Sequence, residues 1–184
     1  MQVMRKSSLI FILLCLVCSP TWAQPPKDQS VDFSAPPGWR TETIALPPDF
    51  APTMSWSGVE VLKFSPDMFK PEARDFFSYV FLLKLDSGEP NWETELMKYY
   101  RGLAKAVMED PELDDSEFRL ELSGKGSSRY GKLWWTEPFK TKSKQVLNLE
   151  IAEIGNRTWF ICVSPTSPRS PIWTSMRSMR NSLY

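Results

Sequence analysis

The sequence predicts an α+β fold: an antiparallel sheet of about six strands, with a long amphipathic helix over residues 92–107 and a C-terminal helix over 171–183 packed on it. Two stretches carry that prediction. In residues 145–163 (QVLNLEIAEIGNRTWFICV), Leu147, Leu149 and Ile151 alternate with Asn148, Glu150 and Ala152. A period of two gives a strand one dry and one wet face. The following TWFICV is aromatic and β-branched, as a central strand is. Gly155-Asn156 between them offers residues that tolerate the positive φ of a hairpin turn. In residues 92–107 the period changes: Trp92, Leu96, Tyr99, Leu103 and Val107 recur at helical spacing.

The remaining elements follow in chain order. Pro36-Pro37-Gly38 turns into a strand, WRTETIAL, that ends at Pro47-Pro48; GVEVLKF at 58–64 is the next strand. FFSYVFLLKL at 76–85 is almost continuously apolar, a strand covered on both faces or a buried helix; its aromatic enrichment and the Asp86-Ser87-Gly88 stop favour the strand. Asn91 is placed to cap the long helix, and Glu93 and Glu95 suit the positive end of its dipole. The acidic run EDPELDDSE (109–117) lacks the ordered carboxylate spacing and glycine of a calcium loop, so it reads as a solvated connector. FRLEL and YGKLWWTEPF flank the turn SGKGSS, which lacks the spacing of a phosphate-cradling loop. Ser170 as cap and Pro171 at the first helical position open the last helix. Its apolar stripe is Ile172, Met176, Met179 and Leu183, with Arg177 and Arg180 outside.

The N-terminus reads as a secretory signal. Arg5 and Lys6 precede the apolar run SLIFILLCLV, and Thr21-Trp22-Ala23 places small residues at −3 and −1, so cleavage is expected between Ala23 and Gln24. The run is shorter than the roughly 20 residues a membrane span needs. Lipidation at Cys18 is disfavoured by the bulky Val17 before it. The expected organisation is a signal peptide (1–23), a loose lead-in (24–35) and one α+β domain (36–184). The protein would be exported, periplasmic or secreted, with no integral span after signal removal.

Composition narrows the function. The chain carries 22 basic and 22 acidic residues, so no strong field draws in nucleic acid. It has no histidine, which removes the commonest general base and zinc ligand. No metal or cofactor is implied. Of three cysteines, only Cys162 remains after signal removal; it reads as a small buried hydrophobe rather than a nucleophile.

Tryptophans outside the signal read first as core. Trp134, Trp135 and Trp173 are the ligand-binding candidates, because adjacent strand residues point to opposite faces and two neighbouring indoles need cover on both. Helices on both sides of the sheet would supply it without a ligand. Glu60, Glu137 and Glu150 are remote catalytic candidates, although a strand glutamate usually faces solvent. Lys125, Arg129, Lys132, Lys140, Lys142 and Lys144 are either a patch for an acidic partner or a solvated strand edge. Asn156-Arg157-Thr158 has the form of a glycosylation acceptor, already explained by turn chemistry.

Gly38-Trp39 entering the first strand, the helix 92–107, the meander 118–163 and the closing helix 171–183 together form an element order. It resembles the PsbP/Mog-like family, named for an extrinsic photosystem II subunit and a Ran-binding protein. The resemblance covers most of the chain outside the signal and rests on order alone. It implies an antiparallel sheet between helical layers and a binding or assembly role without catalysis, and it transfers no functional residue.

The expectation is therefore an exported non-catalytic binding or assembly module for a protein or small ligand. The alternatives are a carboxylate-dependent hydrolase or transferase, and an envelope factor that meets lipid through its terminal helix. A buried carboxylate pair at a cleft would favour the enzyme; an exposed apolar patch near Trp134 or Trp173 would favour binding.

Overall fold

The computed structural model describes residues 32–88, 91–110, 112–124 and 126–183. The signal reading, with Cys18, Ala23 and Gln24, lies outside the described residues, as does Lys125.

Seven strands form one antiparallel sheet. They are β1 (Arg40–Leu46), β2 (Ser57–Phe64), β3 (Tyr79–Ser87), β4 (Arg119–Ser123), β5 (Ser128–Thr136), β6 (Lys144–Gly155) and β7 (Thr158–Ser164). Their order across the sheet is β1-β2-β3-β7-β6-β5-β4. The first three make a meander from one edge. The chain then crosses one face as α1 (Trp92–Met108) and returns from the opposite edge as a second meander, which closes where β7 pairs with β3. After β7, α2 (Pro171–Asn181) covers the other face. The α+β class holds, with seven strands where about six were expected.

Strand parity divides the side chains between two cores. Under α1 lie Leu62, Phe81, Leu83, Leu133, Trp135, Leu149 and Ile161; under α2, against its Trp173, lie Val61, Val80, Leu82, Phe160 and Cys162. Strands β2, β3 and β7 are buried on both faces, which explains their near-continuous apolar sequence. Burial of about forty apolar side chains at roughly 1.5–3 kcal/mol each is what opposes chain entropy in a fold with no disulfide among its described residues.

Both helices start as read. Asn91 accepts from the Thr94 N–H, and Ser170 precedes Pro171, although the Ser170 hydroxyl pairs with Thr166 rather than with the helix. The hairpin turn differs from the expectation. Its left-handed residue is Arg157 (φ 54°), not Gly155 or Asn156. The Arg157 guanidinium donates to the Leu85 and Gly88 carbonyls, and its own carbonyl accepts from Leu85 N–H, so tertiary bonds hold a conformation the side chain disfavours.

Candidate functional site

The apolar stripe of α1 is longer than the core that receives it. Trp92, Leu96, Tyr99, Tyr100 and Ala104 are buried, whereas Leu103 and Val107 stay part-exposed. Trp92 packs edge-on to Trp56 and Trp159, and Tyr100 to Trp135. On the side of the helix that carries Tyr99, Leu103 and Val107, a cavity of about 810 Å³ opens between α1 and the β1–β2 edge. That size is typical of small-molecule sites.

Three local structures make its walls. The floor is the β1–β2 edge, with Glu42, Ile44, Leu62 and Phe64 in one layer. One side is the loop of residues 49–56, which α1 holds closely. Glu95, buried in the helix, accepts from Ser55 N–H (2.7 Å) and from Lys98 (2.8 Å), and Lys98 also donates to the Thr53 carbonyl. Gly102 lets this loop approach, since a Cβ there would stand 2.1 Å from the Phe50 carbonyl oxygen. The third wall is the 65–77 loop with Met68, Phe69 and Phe77, joined by Phe139. Phe139 is set by Glu137, whose carboxylate accepts from the backbone N–H groups of Phe139, Lys140 and Thr141 and from the Thr141 hydroxyl.

Glu60 sits in the same layer as the floor, next to the cavity but outside its lining. Ile44 is its cross-strand partner, and Leu62 and Tyr99, which both line the cavity, stand beside it. Its residue is 0 % exposed. Oε1 accepts from the Tyr99 hydroxyl at 3.0 Å, and Oε2 has no hydrogen-bond partner. Burial raises the Glu60 pKa to about 8; the Tyr99 hydrogen bond opposes the rise and the nearby Glu42 adds to it. Glu42, itself part-buried, is raised by desolvation. The Tyr79 and Tyr100 hydroxyls pair at 2.6 Å, and burial pushes the phenols of Tyr79, Tyr99 and Tyr100 up. Two carboxylates and three phenols thus share one apolar compartment with no ion pair to either carboxylate among the described residues.

The other candidates are dispersed. Trp135 and Trp173 are each 1 % exposed, in the α1 and α2 cores respectively, with indole N–H groups bonded to Gln145 and the Thr166 carbonyl. Trp134 is part-exposed on the α2 side, beyond that helix, with the Arg119 guanidinium 4.1 Å from its ring centroid. The three indoles form no common site: Trp135 is covered by α1, and Trp173, on α2 itself, is buried against the sheet. Glu150 lies under α2, clamped by Arg177 (2.7 Å) and Arg180 (2.6 Å), so these arginines turn inward rather than outward. Arg129 and Lys132 fall on opposite faces of β5, Lys140 and Lys142 belong to the β5–β6 turn, and Lys144 opens β6 and pairs with Glu117. Cys162 is buried and its thiol is pushed up by desolvation, the state of an inert core cysteine. Among the described residues no group of three His, Cys, Asp or Glu side chains converges on a metal position.

Glu60 stood among the catalytic candidates, but its surroundings were not read from sequence. The available signal was parity: Glu60 is in phase with Leu62 and Phe64, so its side chain had to share their face. Comparison with protein-family models, with curated proteins and with solved structures gives no match.

Proposed function

We propose that this chain is an exported, non-catalytic binding module, and that the cavity between α1 and the β1–β2 edge takes an apolar small molecule. The observation that carries the reading is the uncovered end of the α1 stripe. Leu103 and Val107 line, with Ile44, Leu62 and Phe64, about 810 Å³ of space whose walls are mostly hydrocarbon and aromatic rings, with Arg40, Thr41, Glu42 and Asp49 among them. Two tied-down loops hold it open, so a ligand meets a preformed site and loses less free energy to ordering the protein. A PsbP/Mog-like relationship, which rests on element order, is compatible with binding without chemistry. A fold alone does not assign function.

The test is titration with 1-N-phenylnaphthylamine, a neutral probe that fluoresces in apolar surroundings. Saturable binding at one site is expected, abolished by Ala106→Trp, which projects an indole from α1 into the space. Absence of saturable binding, or binding indifferent to Ala106→Trp, contradicts the reading.

One observation favours a second reading, a carboxylate-dependent hydrolase or transferase: Glu42 and Glu60 are paired near a cleft with raised pKa values. It ranks below binding because Glu60 does not line the cavity and a catalytic acid must reach its substrate. Turnover of 4-nitrophenyl esters or glycosides that disappears in Glu60→Gln would reverse the ranking.

A further inference from the structure

Resting on the cavity reading above, we propose that the ligand is an organic cation with an apolar body, its positive group drawn to Glu42 in the wall and, through space, to Glu60 beside it on the same sheet face. Three observations converge on that class.

The first is charge. Glu42 and Glu60 are diagonal neighbours on one sheet face, since Ile44 pairs with Glu60 and Glu42 precedes Ile44 by two. Neither carboxylate has a lysine or arginine partner among the described salt bridges, and Glu60 Oε2 is buried without any hydrogen bond. A buried polar atom without a partner is rare and costly. The two carboxylates repel an anion and attract a cation: Glu42 directly, as part of the lining, and Glu60 through space, from its buried place outside it.

The second is the lining. Phe50, Phe64, Phe77, Tyr79, Tyr99 and Phe139 contribute rings to the walls. Ring faces carry negative potential and attract cations, more strongly where water is excluded. The third is that the rim already uses this chemistry. Arg40 and Lys140 approach the face of Phe69, with Arg40 5.4 Å and Lys140 5.9 Å from the ring centroid.

The groups that face Glu60 set the pH behaviour. They are Glu42 from β1, Tyr79 from β3, and Tyr99 and Tyr100 from α1; Arg40 and Asp49 stand at the cavity wall. With burial holding its pKa near 8, empty Glu60 is mostly protonated at neutral pH, and a bound cation favours the ionised form. Cation binding therefore releases a proton and strengthens as pH rises.

Two isosteric probes test this: benzyltrimethylammonium and its uncharged carbon analogue, neopentylbenzene, each titrated at pH 6 and pH 8.5 by NMR. The cation is expected to bind at least about tenfold tighter at the higher pH, with the neutral analogue unchanged. Glu60→Gln should abolish that pH dependence and weaken the cation at least about tenfold at pH 8.5, while the neutral analogue still binds. Glu42→Gln should weaken the cation severalfold and serves if Glu60→Gln fails to fold. Equal binding of the two probes at both pH values, with no response to either substitution, overturns the cation inference and leaves the cavity reading standing. If neither probe binds, both fall.

Discussion

The Tyr99 hydroxyl donates to Glu60 Oε1 at 3.0 Å, and among the described residues this is the one hydrogen bond that the fully buried Glu60 carboxyl receives. A structural buried glutamate would have both oxygens partnered, as Glu150 has on β6 and Glu137 has in the turn after β5. The bond joins the helix that roofs the cavity to the strand that floors it.

The pH dependence of stability follows from that arrangement. Folding raises the Glu60 pKa from an ordinary 4.5 to about 8, so the folded chain holds a proton that the unfolded chain releases. Its contribution is fully present below about pH 4.5 and is lost as pH rises through about 8. The loss over that window is on the order of 4 kcal/mol. Glu60→Gln mimics the protonated form and should remove this component. Urea unfolding of both proteins from pH 5 to pH 8.5 should show a difference that shifts in favour of the variant as pH rises.

The Glu150 clamp holds α2 on the sheet. Glu150→Ala should destabilise by about 2 kcal/mol, below the usual cost of breaking a buried pair because Arg177 and Arg180 can rehydrate. Hydrogen exchange should accelerate along Pro171–Asn181, and not along α1.

Gly102→Ala sets two effects against each other. Alanine favours a helix interior by about 1 kcal/mol, but its Cβ would overlap the Phe50 carbonyl at 2.1 Å. Overpacking of this kind costs about 1–3 kcal/mol, so net destabilisation is expected. The loop of residues 49–56 should loosen with it, and a lower midpoint in thermal unfolding checks the sign.

The tryptophans should divide by burial. Trp135→Ala and Trp173→Ala each empty a core position and should cost about 3–5 kcal/mol. Trp134→Ala removes a part-exposed ring and its Arg119 contact, worth about 1 kcal/mol. Urea midpoints of the three variants test the ranking.

Periodicity made most of the fold legible. The alternation of Leu147, Leu149 and Ile151 and the spacing of Trp92, Leu96 and Tyr99 mark elements whose local pattern and tertiary role agree. The adjacent Trp134 and Trp135 do point to opposite faces, as parity requires. What escaped were relationships between elements. Arg177 and Arg180 look outward on a helical wheel, yet Glu150 under the helix draws them in. Glu60 looks like a solvent-facing residue until β2 is known to be covered on both sides. The cavity is lined by α1, β1 and β2 together, elements distant in sequence, so no local pattern encodes it.

Methyl NMR during titration with 1-N-phenylnaphthylamine tests the central claim most directly. Resonances of Ile44, Leu62, Met68 and Leu103, which surround the cavity, should shift together and saturate at one equivalent, while those of Val80, Met176 and Met179 in the opposite core stay fixed. Shifts confined to the α2 side, or no shift at all, would contradict it.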